Sequence, residues 1–484
     1  MVASVSKRSR WFRGIALAAL GVIACVGAAG GVVAHRVLPA EGEPIHGLFL
    51  GGRVVAGAAH FGSWVEDRRV QEAARSVTIV HKDLLWRIPV GELGIEVDVG
   101  KTMTEALKPG RAGRASERLH AMLAARRAET DIPLAFAIDT RKAEAALAAV
   151  APEVRREPVN ASMNLDRHER VPAIPGEELD VQATVNAILD GFSAGQDVFK
   201  VVTRSVPAGV TTDDLGHVDI TQVVASYETH FSLHGVGTNR GINIAAAARS
   251  MDGTVLMPGQ EFVFNKVVGE RTLERGFAYA PEIVGDELQM GVGGGVCQVA
   301  STLYAAAIYG ALEIEERWAH ARPSSYTKLG LDATVFYGAK DLRFRNALPY
   351  PVLLHVYLPE PGVVRAELLG GEPVAEVEYK YGVAKSESFV RRITVKPWMT
   401  GGKVVRKQKG IKGYSVSSLV RVQYRDGRKT ERWYHSEYRP TPEIFWVSPD
   451  YDEGKLPALP NGAKGVEGRG TDTARSVTGA PGAG

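Results

Sequence analysis

Cys297 follows a run of glycines, in GVGGGVCQVASTLYAAAIYGAL, and an apolar, alanine-rich stretch comes directly after it. Gly291, Gly293, Gly294 and Gly295 read as a turn, and the stretch after them as a buried helix with Cys297 in its first turn. The unpaired N–H groups and positive dipole end of a helix N-terminus lower a thiol pKa and favour the thiolate, which is the reactive form. Glycines let another chain approach closely. The same residues also suit a buried structural cysteine. A cysteine nucleophile needs a base and a group that orients the base, and His320 in WAHARPSSY and Asp332 in GLDATVFYG follow in that order. Asp332 would accept the ring N–H of His320 and fix its tautomer. Arg322 would pair with a carboxylate. Gln298 and the backbone N–H groups after Gly295 would stabilise an acyl oxyanion.

The elements that must position these residues follow from the patterning. A helix from Cys297 to about Leu312, followed by a strand at Glu313–Arg317, returns the chain toward the helix start and brings His320 within reach. Further strands are expected at Thr334–Tyr337, Leu342–Phe344 and Val352–Tyr357. Upstream, Tyr227–Phe231 and Glu261–Asn265 read as strands and Asn239–Arg249 as a helix. Residues 73–221 alternate strands (Ser76–Val80, Leu84–Pro89, Leu134–Ile138) with helices (Ser116–Thr130, Arg141–Val150, Gln182–Phe192), the mark of an α+β unit. Residues 359–447 alternate in the strand period, with Asp426-Gly427 as a hairpin signal. From 448 to 484 the composition turns to Gly, Pro, Ala and small polar residues, as in a disordered tail.

The N-terminus carries a different signal. Lys7, Arg8, Arg10 and Arg13 precede residues 14–34, which hold no charge. A helix of that length spans about 31 Å, enough for a bilayer core. The basic flank leaves 1–13 cytoplasmic and exports the body, to the periplasm or extracytoplasmic space. A retained single-pass anchor in the cell membrane is the reading preferred here. A cleaved signal peptide, or lipidation at Cys25 in Val22-Ile23-Ala24-Cys25, would export the body equally. In an oxidising compartment cysteines used for stability come in pairs, and Cys297 has no exported partner. The organisation expected is a multi-domain α+β protein: the anchor, a linker and start of a first module at 35–72, an α+β module at 73–221, a second at 222–358, and the β-rich extension and tail.

Composition and motifs exclude other classes. With 58 Lys+Arg against 55 Asp+Glu the net charge is +3, which argues against nucleic acid as a partner. GVGGGVCQ lacks the third glycine of GxGxxG, and no GK[ST] follows it. His230 and His234 are spaced to face one metal from a helix, but there is no HExxH and no second ligand cluster. No cofactor or metal is called for.

The central block, with R-x-x-N-I, P-G-x-x-F-x-F-N, G-x-R, G-G-G-x-C-Q, E-R-x-x-H-x-x-P-x-x-Y, D-A-T-V and D-x-x-F-x-N, resembles the VanW family of bacterial cell-wall-associated proteins. WRIPVGELGIEVDVG and DTRKAEAALAAVAPEV, upstream, are similar to the YoaR-type peptidoglycan-binding domain. The resemblance implies a partner in peptidoglycan, its stem peptides or glycan, and an L,D-transpeptidase-like cysteine acyltransferase. Cys297 would attack a donor stem peptide and form a thioester, which an amine of a neighbouring stem would release. Gly293, Gly294, Gly295 and Gln298 would shape the surroundings of the thiol. Where many relatives have G-R-D-A, this chain has Gly330-Leu331-Asp332-Ala333; if that arginine binds a substrate carboxylate, its absence leaves the role to Arg322 or to no residue. A non-catalytic peptidoglycan-binding scaffold, and a cysteine peptidase or amidase with water as acceptor, remain alternatives. Vancomycin resistance does not follow from these residues.

Overall fold

A computed structural model of the chain describes residues 42–55, 60–127, 129–235, 237–284, 287–459, 463 and 466–471. The expected anchor at 14–34 lies outside the described residues, as do Cys25 and the basic flank. Among the described residues no helix is long and apolar enough to cross a membrane. The chain divides into two compact units, one drawn from Met1–Glu157 and Gly176–Val206, the other from Pro158–Pro175 and Pro207–Gly484. Both mix helices and strands.

In the first unit Ser76–His81 pairs antiparallel with Leu84–Pro89 and parallel with Val198–Lys200. Alternation along Ser76–His81 sends Val77 and Ile79 into the core. Helices Thr140–Val154 and Val181–Ser193 bring Leu147, Val150, Ile188 and Phe192 to the same core. Three helices begin at an aspartate. Asp98, Asp139 and Asp180 accept from the N–H groups of Lys101, Arg141 and Ala183 at 2.8, 3.0 and 2.9 Å. These caps satisfy donors that a first helical turn leaves open.

The second unit is built on a six-stranded sheet. Its strand order is Gln222–His230, Val363–Gly370, Val352–Tyr357, Thr254–Leu256, Ser162–Asn164 and Glu169–Val171, antiparallel throughout. Ser162–Asn164 and Glu169–Val171 come from the short stretch that interrupts the first unit. Helix Val296–Tyr309 packs against this sheet, and all but two of its residues are buried. Its alanines, Ala300 and Ala305–Ala307, permit a close approach to Leu354, Val364 and Leu368. Helix Gly237–Met251 packs beside it and against Val352–Tyr357. A smaller sheet joins Glu261–Val263, Arg343–Arg345 and Glu313–Glu316.

Three expectations change. Thr334–Tyr337 is not a strand. The Thr334 N–H donates to the Trp318 carbonyl, the Val335 carbonyl faces Cys297 Sγ, and Phe336 pairs only with Lys340 in an isolated bridge. The extension expected from 359 does not begin at a break: Val363–Gly370 is a strand of the six-stranded sheet, and Val420 and Val422 bury in the cluster that holds Leu303 and Tyr304. Its Gly413–Tyr424 and Lys429–Tyr438 form the hairpin expected at Asp426-Gly427, with Gly427 at φ 90°. The tail is not wholly without structure: Val466–Thr471 pairs parallel with Arg391–Val395. A sheet edge needs only main-chain partners, so composition alone did not reveal this strand.

Candidate active site

Hairpin Tyr279–Val284 and Glu287–Val292 delivers the chain to the glycine turn. Gly293 and Gly295 hold φ of 94° and 114°, a region that side chains disfavour. At Gly294 a Cβ would fall 2.7 Å from the Ala280 carbonyl oxygen and 2.6 Å from that of Pro281. What these glycines admit is therefore the protein's own chain. Asn243 fixes the turn, donating to the carbonyls of Ala278 and Gly294, both at 2.9 Å, and accepting from the Ala278 N–H at 2.7 Å.

Gly295 caps the helix, and Cys297 is its second residue, half-buried. The N–H groups of Val296 and Gln298 donate to the carbonyls of Gly293 and Gly295, at 3.1 and 2.9 Å. The Cys297 N–H makes no such bond among the described residues, as expected for a first-turn donor. Sγ lies 3.5 Å from the Val335 carbonyl oxygen, an acceptor for the thiol form.

The structure brings His320 and Asp332 together behind this cysteine. Both are buried. Asp332 Oδ2 accepts from His320 Nδ1 at 2.8 Å and from the His320 N–H at 2.7 Å. Oδ1 accepts from Arg317 Nη2 at 2.8 Å and from the Tyr438 hydroxyl at 2.5 Å. With Nδ1 committed to Asp332, His320 turns its other nitrogen toward the Cys297 thiol and the Tyr326 hydroxyl, 3.3 Å away. Ser301 Oγ ties the loop to the helix through the N–H and carbonyl of Ala333, at 2.9 and 3.3 Å.

The electrostatics follow from this arrangement. Burial raises the Asp332 carboxyl, but the His320 hydrogen bond and the Arg317 charge outweigh it and bring it down to about 2. Burial would deprotonate His320, yet its bonds to Asp332 and Cys297 push it up to about 9. Burial likewise raises the Cys297 thiol, and the adjoining His320 together with the Arg271 charge turn the shift downward. The group is suited to a thiolate facing an imidazolium, with a carboxylate behind it.

Other expected residues fall elsewhere. Gln298 is buried and its amide is fully used inside the protein. Nε2 donates to Thr229 Oγ1 and the His230 carbonyl, each at 3.0 Å, and Oε1 accepts from Arg240 at 2.8 Å. It positions Arg240 and has no donor left for an oxyanion. Arg322 is buried, lowered by burial alone, and has no electrostatic tie to Cys297. The cations that do act on Cys297 are Arg240 and Arg271. His230 ends a strand while His234 is exposed in the following loop, so they share no helix face. Arg317, Tyr326 and Asn243 were missed as site residues although they stand in the quoted motifs. Tyr438 and Ser436, which bonds Arg317 at 2.7 Å, come from the extension and carried no local signal.

Comparison with known proteins matches residues 239–368 to a family described as "VanW like protein" and residues 86–200 to one described as "Putative peptidoglycan binding domain". The chain is 38% identical over 203 residues to "Uncharacterized protein YoaR" of Bacillus subtilis, covering 42% of this chain and 66% of that protein. It is 25% identical over 162 residues to "Vancomycin B-type resistance protein VanW" of Enterococcus faecalis, covering 31% of this chain and 59% of that protein. The matched stretches thus span less than two thirds of each relative, 66% of the first and 59% of the second.

Proposed function

From a chain that carries a VanW-like domain and a peptidoglycan-binding-type domain, we propose a cysteine acyltransferase of the L,D-transpeptidase kind, acting on peptidoglycan stem peptides. The observation that carries this reading is the aligned group Cys297, His320 and Asp332, whose carboxylate is held by four donors. The Cys297 thiolate attacks an amide carbonyl of the donor, and the Cys297 N–H donates to the oxyanion that forms. The C–N bond breaks as His320 Nε2 gives its proton to the departing amine, leaving a thioester and a neutral imidazole. An acceptor amine then attacks the thioester, His320 takes the amine's proton, and the thiolate leaves. Asp332 remains ionised throughout and holds the ring. The region matched at 86–200 would hold the wall polymer, and the segment at 14–34 would anchor the body outside the cytoplasm.

The test is intact-mass analysis of the full chain with a purified disaccharide-tetrapeptide, beside Cys297→Ala. A mass gain equal to the acyl stem, absent in the variant, is expected. No adduct, with Cys297 inert to iodoacetamide at neutral pH, would overturn the reading. Analysis of released products then separates an amine acceptor from water, that is, a transpeptidase from an amidase.

One observation favours a second reading, a non-catalytic peptidoglycan-binding protein. The Tyr326 hydroxyl already meets His320 Nε2, and Sγ already meets the Val335 carbonyl. On that reading the network is a closed polar core and Cys297 does not label.

A further inference from the structure

The glycine turn is wedged between two arginine stems. A Cβ on Gly293 would lie 2.9 Å from Arg271 Cβ, and one on Gly295 would lie 2.9 Å from Arg240 Cγ. Both guanidinium groups act on the Cys297 sulfur. Each is also anchored from behind. Arg240 Nη2 donates to Gln298 Oε1, whose own amide is locked to Thr229 and His230. Arg271 Nη1 donates to Asn265 Oδ1 at 2.6 Å, and its guanidinium lies 5.6 Å from the Phe264 ring centroid. Asn265 in turn donates to the Lys340 carbonyl at 2.8 Å.

Neither arginine has a carboxylate in salt-bridge contact among the described residues, whereas Arg317 does; Asp341 acts on Arg271 only beyond salt-bridge distance. Arg271 Nη2 is buried and has no hydrogen-bond partner among the described residues. A buried guanidinium donor without an acceptor is costly, and a cation beside an acyl-accepting thiol is placed to meet an anion on the incoming acyl group. Two rigidly held guanidinium groups lower the cost of ordering such an anion on binding.

We propose that Arg240 and Arg271 form a carboxylate-binding subsite beside Cys297, so that the acyl donor carries a carboxylate close to the carbonyl the thiol attacks. This rests on the nucleophile reading above and adds the chemistry of its substrate. A carboxylate is the anion that a peptide-like donor offers next to an acyl carbon.

The test alkylates the full-length protein in parallel with iodoacetate and with iodoacetamide, reagents of similar size that differ in a carboxylate. In both, the Cys297 sulfur forms a C–S bond as iodide leaves, so the ratio of the two rates cancels the thiolate fraction. The expected wild-type iodoacetate:iodoacetamide ratio exceeds that of glutathione by about tenfold, as for a locally concentrated anion. It falls to the glutathione value in Arg240→Gln/Arg271→Gln. A wild-type ratio equal to glutathione, or one unchanged in the variant, overturns the subsite even if the thiol is reactive. Should Cys297 prove inert to both reagents, the nucleophile reading fails and the subsite is read independently. Ligand-observed NMR on Cys297→Ser then compares N-acetylglycine with neutral N-acetylglycinamide. Binding of the acid alone, lost in the double arginine variant, supports the subsite; equal or no binding of the two overturns it.

Discussion

Two sets of charges surround Cys297, and they are built differently. Around His320 every strong group is matched: Asp332 takes four donors, and Arg317 spreads its own over the Asp332 carboxylate and carbonyl and Ser436. Around the glycine turn, Arg240 and Arg271 are braced by neutral amides, and one buried nitrogen is left without an acceptor. The first set is complete within the folded chain and holds a proton in place. The second leaves an Arg271 donor open among the described residues, where the proposed carboxylate would sit. The difference teaches that charge next to a thiol can serve two ends, and that partner saturation tells them apart.

Removing the centre of the saturated set should have the largest effect. Asp332→Asn leaves Arg317 and His320 buried without their counter-charge and should destabilise the protein by about 3–5 kcal/mol, read from urea unfolding. A loss under about 1 kcal/mol would break the comparison, because this set would then be no better matched than the other.

The thiolate–imidazolium pair gives a pH signature of smaller size. His320 is raised from 6.5 to about 9, so its stabilisation is whole below pH 6.5 and is lost as pH rises through the folded value. Cys297 is lowered from 9.0, so its contribution is whole above that pH and is lost as pH falls through its folded value. Between pH 6.5 and 9 the two trends oppose each other, so the fall in stability from His320 is offset in the wild type by the rise from Cys297 wherever the thiol is ionised only in the folded state. Cys297→Ala removes the offsetting trend. Its denaturation midpoint should fall, relative to wild type, as pH climbs from 6.5. Parallel curves for the two proteins would mean that the pair is not ionised. Tyr326, Arg240, Arg271 and Arg317 also face this group, but none of them changes protonation in that window.

The smallest change is expected on the open set. Arg271→Gln breaks no salt bridge, since Asp341 acts on it only at longer range, so its stability should stay within about 1 kcal/mol of wild type in the same urea series. A loss comparable to that of Asp332→Asn would show that Arg271 is structural and erase the contrast.

Much of this was legible along the chain. The glycine turn, a helix starting at Cys297, the strand that follows and the order Cys, His, Asp are local facts, set by backbone freedom at Gly293 and Gly295 and by apolar spacing. The aspartate caps of the first unit were equally local. The sequence offered Arg322 for a carboxylate because it is near His320 in the chain; Arg240 and Arg271 are brought to the glycine turn because the helix Gly237–Met251 and the segment after Val268 pack against it. Proximity in sequence does not give proximity across a packed core.

By itself, then, the sequence determined the candidate cysteine, its helix, and the histidine and aspartate that join it, because each depends on residue type and short spacing. Only the tertiary structure decided which side chains saturate Asp332, which arginines stand beside the thiol, and that Tyr438 of the extension completes the network. Those choices depend on which distant strands and helices share one buried volume, and on which polar groups find partners there.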